Sequence, residues 1–219
     1  MNRRNFFKTA TLGLGTVALL PFTDNTLSAN TSLISASESP LIPTSHAIEW
    51  INNNIKRRDI FIGKNVPLQL NDAQLDFIRI AEKYTKSNSY ISYPKRQTGY
   101  TTAAAAYLLY RLIHDRNSSF LTVCMNLDQG SYFMDTIRDM YNHLPNQLSQ
   151  VKTYSCNKLS MYINSNKLVI SSYNEIYSDL CATHYKLAFA QEYSYSDVNM
   201  TEVCKYNVDR VIGYSYYEL

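Results

Sequence analysis

The segment Tyr93-Pro94-Lys95-Arg96-Gln97-Thr98-Gly99-Tyr100-Thr101-Thr102 constrains this chain more than any other. It joins the short β-rich run Tyr90-Ile91-Ser92-Tyr93 to an alanine- and leucine-rich stretch from Thr102 to Arg116. That order reads as a strand end, a glycine-bearing turn and a helix start. Such a turn gathers backbone N–H groups at the positive end of a helix, which suits a phosphate. In a standard phosphate loop a Lys lies between the last Gly and a Ser or Thr, and here Tyr100 occupies that slot. Either Lys95 and Arg96 replace the missing charge, or the loop is an inherited shape that no longer hydrolyses anything.

The rest of the body alternates helix and strand signals. Apolar residues fall at helical spacing from Ala47 to Ile55, and a second helix opens between Leu70 and Ile78 with Asn71 or Asp72 as its N-cap. Phe120 to Met125 is β-rich, and Tyr132 to Leu144 has helical spacing until Pro145 stops it. Leu159 to Ile163 and Lys167 to Ser172 flank Asn164-Ser165-Asn166, which is a hairpin signal. Tyr185 to Ala190 is a buried strand ending at Gln191-Glu192, and Val208 to Ser215 is a last strand. The predicted fold class is α/β, a mostly parallel sheet flanked by helices in a P-loop NTPase-like three-layer sandwich. Ligands of such sheets bind beyond the carboxyl ends of the strands, where Lys95 to Thr102, Gln191-Glu192 and Tyr214-Ser215 would converge.

Bulk composition adds limits. With 219 residues, 45% hydrophobic and 18% charged, the chain can bury a full core, and a net charge of +3 does not by itself argue for nucleic acid. Lys56-Arg57-Arg58 and Lys95-Arg96 are the basic clusters, and a solvated helix end is the favoured reading of the first. Cys124, Cys156, Cys181 and Cys204 have no C-x-x-C spacing, and Cys181 with His184 lacks a second pair to complete a zinc site. They read as separate small buried residues; a disulfide would need an oxidising compartment. Tyr93, Tyr100, Tyr193, Tyr195 and Tyr214 lie near the predicted crevice among 19 tyrosines. Tyr100 stacked on a base is one reading, and edge packing in strands is the preferred one.

The N-terminus makes a competing claim. Met1-Asn2-Arg3-Arg4-Asn5-Phe6-Phe7-Lys8 precedes a mildly apolar stretch from Thr9 to Phe22 and small residues ending in Leu27-Ser28-Ala29. This order resembles a twin-arginine export signal carried by Arg3 and Arg4. The apolar run is short against the roughly 20 residues a membrane span needs. The alternative is a leader unrelated to export. The expected organisation is a leader over 1–29, a Ser-, Thr-, Asn- and Pro-rich linker over 30–45 and one domain over 46–219.

From His46 to Leu219 the chain also resembles the ATPase domain of the large terminase subunit, the DNA-packaging motor of tailed phages. The resemblance is carried, in order, by Gln74 in Leu70-Asn71-Asp72-Ala73-Gln74, by Arg96-Gln97-Thr98-Gly99-Tyr100-Thr101, by the hairpin around Asn164-Ser165-Asn166, by Leu187-Ala188-Phe189-Ala190-Gln191-Glu192 and by Ile212-Gly213-Tyr214-Ser215. It implies that Gln74 contacts adenine, that Gln97, Thr98, Gly99, Tyr100, Thr101 and Thr102 bind the nucleotide, and that Ser215 couples hydrolysis to movement. It further implies that Thr101 and the residue at Gln191 hold Mg2+, that Lys95 or Arg96 stabilises transition-state charge, and that Glu192 orients or deprotonates the attacking water. Bland readings compete: Gln74 as a helix-surface residue, Glu192 as a surface acid, Arg96 paired with an acid at the sheet edge.

Two departures stand out. One branch of the family also has Gly-Tyr-Ser in the loop and carries its lysine at the loop's start, and Lys95 lies one position nearer the Gly. Gln191 replaces an Asp, offering a hard cation a neutral carbonyl in place of a carboxylate, so hydrolysis is expected to be weak or absent. Large terminases continue into a nuclease domain with clustered acids, which this sequence lacks after Leu219, so no nuclease activity is expected. The implied ligands are ATP and Mg2+, and the implied partners are double-stranded DNA, other packaging subunits and a separate nuclease-domain chain, in the host cytoplasm. The alternative is an α/β protein of unknown binding function that meets the export machinery and works in the periplasm or beyond.

Overall fold

The computed structural model describes residues 45–58, 62–83, 89–93, 98–145, 154–176, 183–191 and 207–216. Helix α1 (His46–Asn54) starts at Ser45, whose hydroxyl accepts the Ile48 N–H at 3.1 Å, and buries Ala47, Ile48, Trp50 and Ile51. It ends where Ile55 turns extended, and the chain continues as β1 (Lys56–Arg58), paired antiparallel with β2 (Asn65–Pro67). The basic cluster is therefore a strand and not a helix end. Ile55 and Leu68, each 1% exposed, are the reason: their backbones bond at 2.9 Å and both side chains enter the core, which brings β1 and β2 side by side.

Helix α2 (Asp72–Glu82) precedes β3 (Ser89–Tyr93), and α3 (Tyr100–His114) then leads into β4 (Ser119–Cys124). Helix α4 (Leu127–Asn142) is followed by β5 (Tyr154–Cys156), β6 (Ser160–Ile163), β7 (Asn166–Ser172), β8 (Leu187–Gln191) and β9 (Val211–Tyr216). The main sheet runs β3-β9-β8-β4-β7-β6-β5. Its first five strands are parallel, and β6 and β5 extend it antiparallel. This is the mostly parallel, helix-flanked α/β sheet that the alternating pattern predicts.

Two helices begin earlier than their spacing predicts. The chain enters α3 at Tyr100, and it enters α4 at Leu127, five residues before Tyr132, because the Asn126 side chain accepts the Gln129 N–H at 2.9 Å. Gly130 and Ser131 are weak helix formers that hide this start, and the cap overrides them. In the predicted hairpin, Asn164 takes the left-handed conformation (φ 54) at the turn, while Asn166 belongs to β7. The strands β1, β2 and β5 have three residues each, too short to show alternation.

Every residue of β8 is buried, and so is all of β4 after Ser119, as befits central parallel strands. Alternation sends Phe120, Cys124 and Phe189 into one core with all four helices, and Leu121, Val123, Ala188 and Ala190 into a second core on the other face. Helix α3 lies at the centre of the first, with Ala103 to Leu109 and Leu112 buried. Its alanines let α1, α2 and α4 approach it closely. Cys124 and Cys156 are free; burial pushes the Cys124 thiol up to about 12, while Cys156 is only half-buried, against the expectation of a small buried residue.

The far end of α3 is closed by a polar lock. Asn166, 1% exposed, donates to Leu112 O at 2.8 Å and Asp115 O at 2.6 Å and accepts the Ser118 N–H at 2.9 Å. Arg111 binds both oxygens of Asp115 at 2.7–3.0 Å, and Lys186 adds a third cationic donor at 3.0 Å. Burial works to raise the Asp115 pKa, but Arg111 and Lys186 outweigh it and hold the carboxyl below the usual aspartate range.

Asn166→Ala leaves buried partners unsatisfied and is expected to cost about 2–4 kcal/mol in urea unfolding; a loss under about 0.5 kcal/mol would contradict the lock. Asp115→Asn is expected to cost about 2–3 kcal/mol near neutral pH. Because the folded pKa is depressed, this difference is complete above the unfolded value of about 3.9 and closes as pH falls through the lower folded value.

Candidate functional site

The near end of α3 is built differently. Gly99 sits at the N-cap in the left-handed region (φ 79, ψ 23), no side chain caps the helix, and no acid lies in its first turn. Ser45, Asn71 and Asn126 cap the other three helices. The first N–H groups of a helix lack intrahelical partners and carry its positive pole, so this end is an open donor surface.

The turn itself is held by α2. Asn71 and Gln74 form a reciprocal capping box: Gln74 N–H donates to Asn71 Oδ1 at 2.9 Å and Asn71 N–H to Gln74 Oε1 at 3.0 Å. The amide ends left over reach across the turn, Gln74 Nε2 donating to Gly99 O at 2.9 Å and Asn71 Nδ2 to Thr98 O at 3.2 Å. The left-handed φ favours glycine at 99, and a Cβ there would push the Gln74 amide out of its bond to the turn.

Tyr100, the residue in the usual lysine slot, points inward. It is fully buried, with ring centroids 5.4 Å from Phe77 and 6.3 Å from Tyr214, while Phe77 stacks on Phe189 at 5.4 Å. Stacking of Tyr100 on a base is thereby corrected, and so is its packing at a strand edge: it is a helix residue whose ring anchors the start of α3 in the core.

Beyond the carboxyl ends of β8 and β4 lies a cavity of about 530 Å³. Thr101 and Thr102 from α3, Gln191 from β8 and Asp128 with Tyr132 from α4 face it, together with Gln129 and Thr136. Gln191 is 7% exposed; its backbone carbonyl accepts the Tyr173 hydroxyl at 2.9 Å, but its side-chain Nε2 is buried with no hydrogen-bond partner. Helix α4 lies close against the sheet because Gly130 has no side chain: a Cβ there would stand 2.6 Å from Ile170 Cγ2. Asp128 is the carboxylate of the described lining, and Tyr132 is 72% exposed at the rim.

The structure thus brings Thr101, Thr102 and Gln191 together, with Thr98 and Gly99 in the adjoining turn. Gln74 does not line the cavity; both ends of its side chain are engaged in holding the turn. Ser215 is placed in β9 by its backbone. Lys95, Arg96, Gln97 and Glu192, with Arg3, Arg4 and the leader, lie outside the described residues, as do Cys181, Cys204, Tyr193 and Tyr195. Asp128, Gln129, Tyr132 and Thr136 were not expected from the sequence. Applying the carboxyl-end rule to β4 as well as to β8 and β9 would have pointed to Asp128. Among the described residues no cluster of three or more His, Cys, Asp or Glu could hold a metal, and no helix is long and apolar enough to cross a membrane.

Solved structures share this fold. The large terminase of bacteriophage HK97 superimposes with a TM-score of 0.59 at 16% identity, covering 77% of this chain and 36% of that one. The ATPase domain of the large terminase of Thermus phage P74-26 superimposes with a TM-score of 0.50 at 11% identity, covering 69% of this chain and 72% of that domain. The fold is that of a terminase ATPase domain. No protein-family model matches the sequence, and no curated protein is similar to it in sequence.

Gly99→Ala is expected to cost at least about 1–2 kcal/mol from its left-handed backbone alone, and more from displacing Gln74. In a double-mutant cycle read by chemical denaturation, Gln74→Ala should relieve the steric part and leave the backbone part, giving a coupling of about 0.5–3 kcal/mol. Strict additivity would mean that Gln74 does not hold this turn.

Proposed function

We propose that this chain is a terminase-type nucleotide-binding domain whose cavity receives the phosphate tail of ATP. The observation that carries the reading is the uncapped start of α3 opening beside a cavity in which the buried Gln191 amide has no partner. A buried N–H without an acceptor is costly, and an oxyanion would satisfy it. The Thr101 and Thr102 hydroxyls and the positive pole of α3 add donors of the same sense.

In this reading Lys95 and Arg96, in the segment before α3, supply positive charge to the phosphates, and Glu192 orients the attacking water. Mg2+ bound with ATP would offset charge on the phosphate oxygens, and Thr101 offers it a hydroxyl. Gln191 offers it no carboxylate, so turnover is slow or absent and the domain serves mainly to bind nucleotide. Ser215 couples the site to movement. The partners are double-stranded DNA and packaging subunits, in the host cytoplasm.

The test is thermal unfolding of the full chain with and without millimolar ATP and Mg2+. A ligand at 100 times its Kd adds about 2.7 kcal/mol, which would raise the melting temperature by several degrees. Gln191→Leu removes the buried donor and should weaken ATP binding by about 1.5–3 kcal/mol, roughly ten- to a hundredfold. No stabilisation of the wild type by ATP would overturn the reading.

A further inference from the structure

The cavity carries one feature that the nucleotide reading leaves unexplained. Asp128, in the first turn of α4, is exposed and lines the same cavity as Thr101 and Gln191. A bare carboxylate facing a phosphate tail repels it. The α4 start has no need of this acid as its cap, because Asn126 already accepts the Gln129 N–H. A divalent cation between the acid and the phosphates would turn the repulsion into attraction.

Gln191 is the poorer candidate for that part: its carbonyl is neutral, and its buried Nε2 is a donor without a partner, which suits an oxyanion. We propose that the two tasks are divided between neighbouring strand ends: Asp128, just past β4, is the carboxylate that holds the divalent cation accompanying the phosphates, while Gln191, at the end of β8, donates to a phosphate oxygen. This rests on the nucleotide reading above. The cation is a hard one such as Mg2+, met by the Asp128 carboxylate, the Thr101 hydroxyl and oxygens of the ligand. The cavity wall that places Asp128 is set by Gly130, whose missing Cβ lets α4 lie against Ile170.

The experiment compares wild type and Asp128→Asn as full chains. Binding of a fluorescent ribose-labelled ATP is titrated with Mg2+ and with EDTA, and Mn2+ binding in the presence of ADP is followed by electron paramagnetic resonance. Wild type should bind the nucleotide tenfold or more tightly with Mg2+. Asp128→Asn should lose that enhancement and its Mn2+ signal, yet bind ATP in EDTA as well as wild type or better, because the repulsive charge is gone. A structural role for Asp128 would not produce that reversal. Asp128→Glu should recover part of the enhancement. If Asp128→Asn keeps the wild-type Mg2+ enhancement and Mn2+ signal, the assignment of the cation is wrong and the nucleotide reading stands. If wild type binds no nucleotide with or without Mg2+, both fall together.

Discussion

The bond from Gln74 to the Gly99 carbonyl is the constraint on which the site depends. Gly99 must turn left-handed for α3 to begin where it does, and only a donor from a neighbouring element can hold its carbonyl while the helix takes its own bond from Ala103 at 3.0 Å. Gln74 can reach because the same side chain closes the capping box of α2. One amide therefore fixes the start of two helices and the direction of the N–H groups between them. With that bond made, Tyr100 falls into the core beside Phe77, and Thr101 and Thr102 face the cavity.

The two ends of α3 are finished in opposite ways. At the far end Arg111, Lys186 and Asp115 satisfy one another, and Asn166 takes up the carbonyls of Leu112 and Asp115. At the near end there is no cap, no first-turn acid and a buried amide without a partner. Polar groups that fold a protein are normally satisfied within it. In the proposed reading, the deficit at the place where a helix pole, two hydroxyls and a cavity coincide is met by the phosphate oxygens of the ligand.

Much of the frame was legible from local chemistry. The Asn71 cap with Gln74 three residues on, the glycine before an alanine-rich helix, and the Asn-rich turn between two short apolar runs each dictate a backbone shape. The order of strands and helices then leaves few topologies. Tyr100 was harder to read, because a residue in a ligand loop looks available until the packing of Phe77, Phe189 and Tyr214 shows that the ring is needed inside. The same is true of Gln74, whose two bonds depend on α2 and the loop meeting in space, and of Asp128, hidden because Gly130 and Ser131 disguise the start of α4. Lys56-Arg57-Arg58 was misread for a related reason: the burial of Ile55 and Leu68, not local propensity, decides its shape.

The central claim is that the open end of α3 is a phosphate site. It is tested most directly by amide NMR of the 15N-labelled chain during titration with ADP and Mg2+. The account predicts that the backbone signals of Gly99 to Thr102 and the side-chain amide of Gln191 shift together along one saturating curve, while signals at the Arg111–Asp115 end stay in place. Saturable shifts that leave Gly99 to Thr102 unmoved, or no shifts at millimolar ADP, would contradict it.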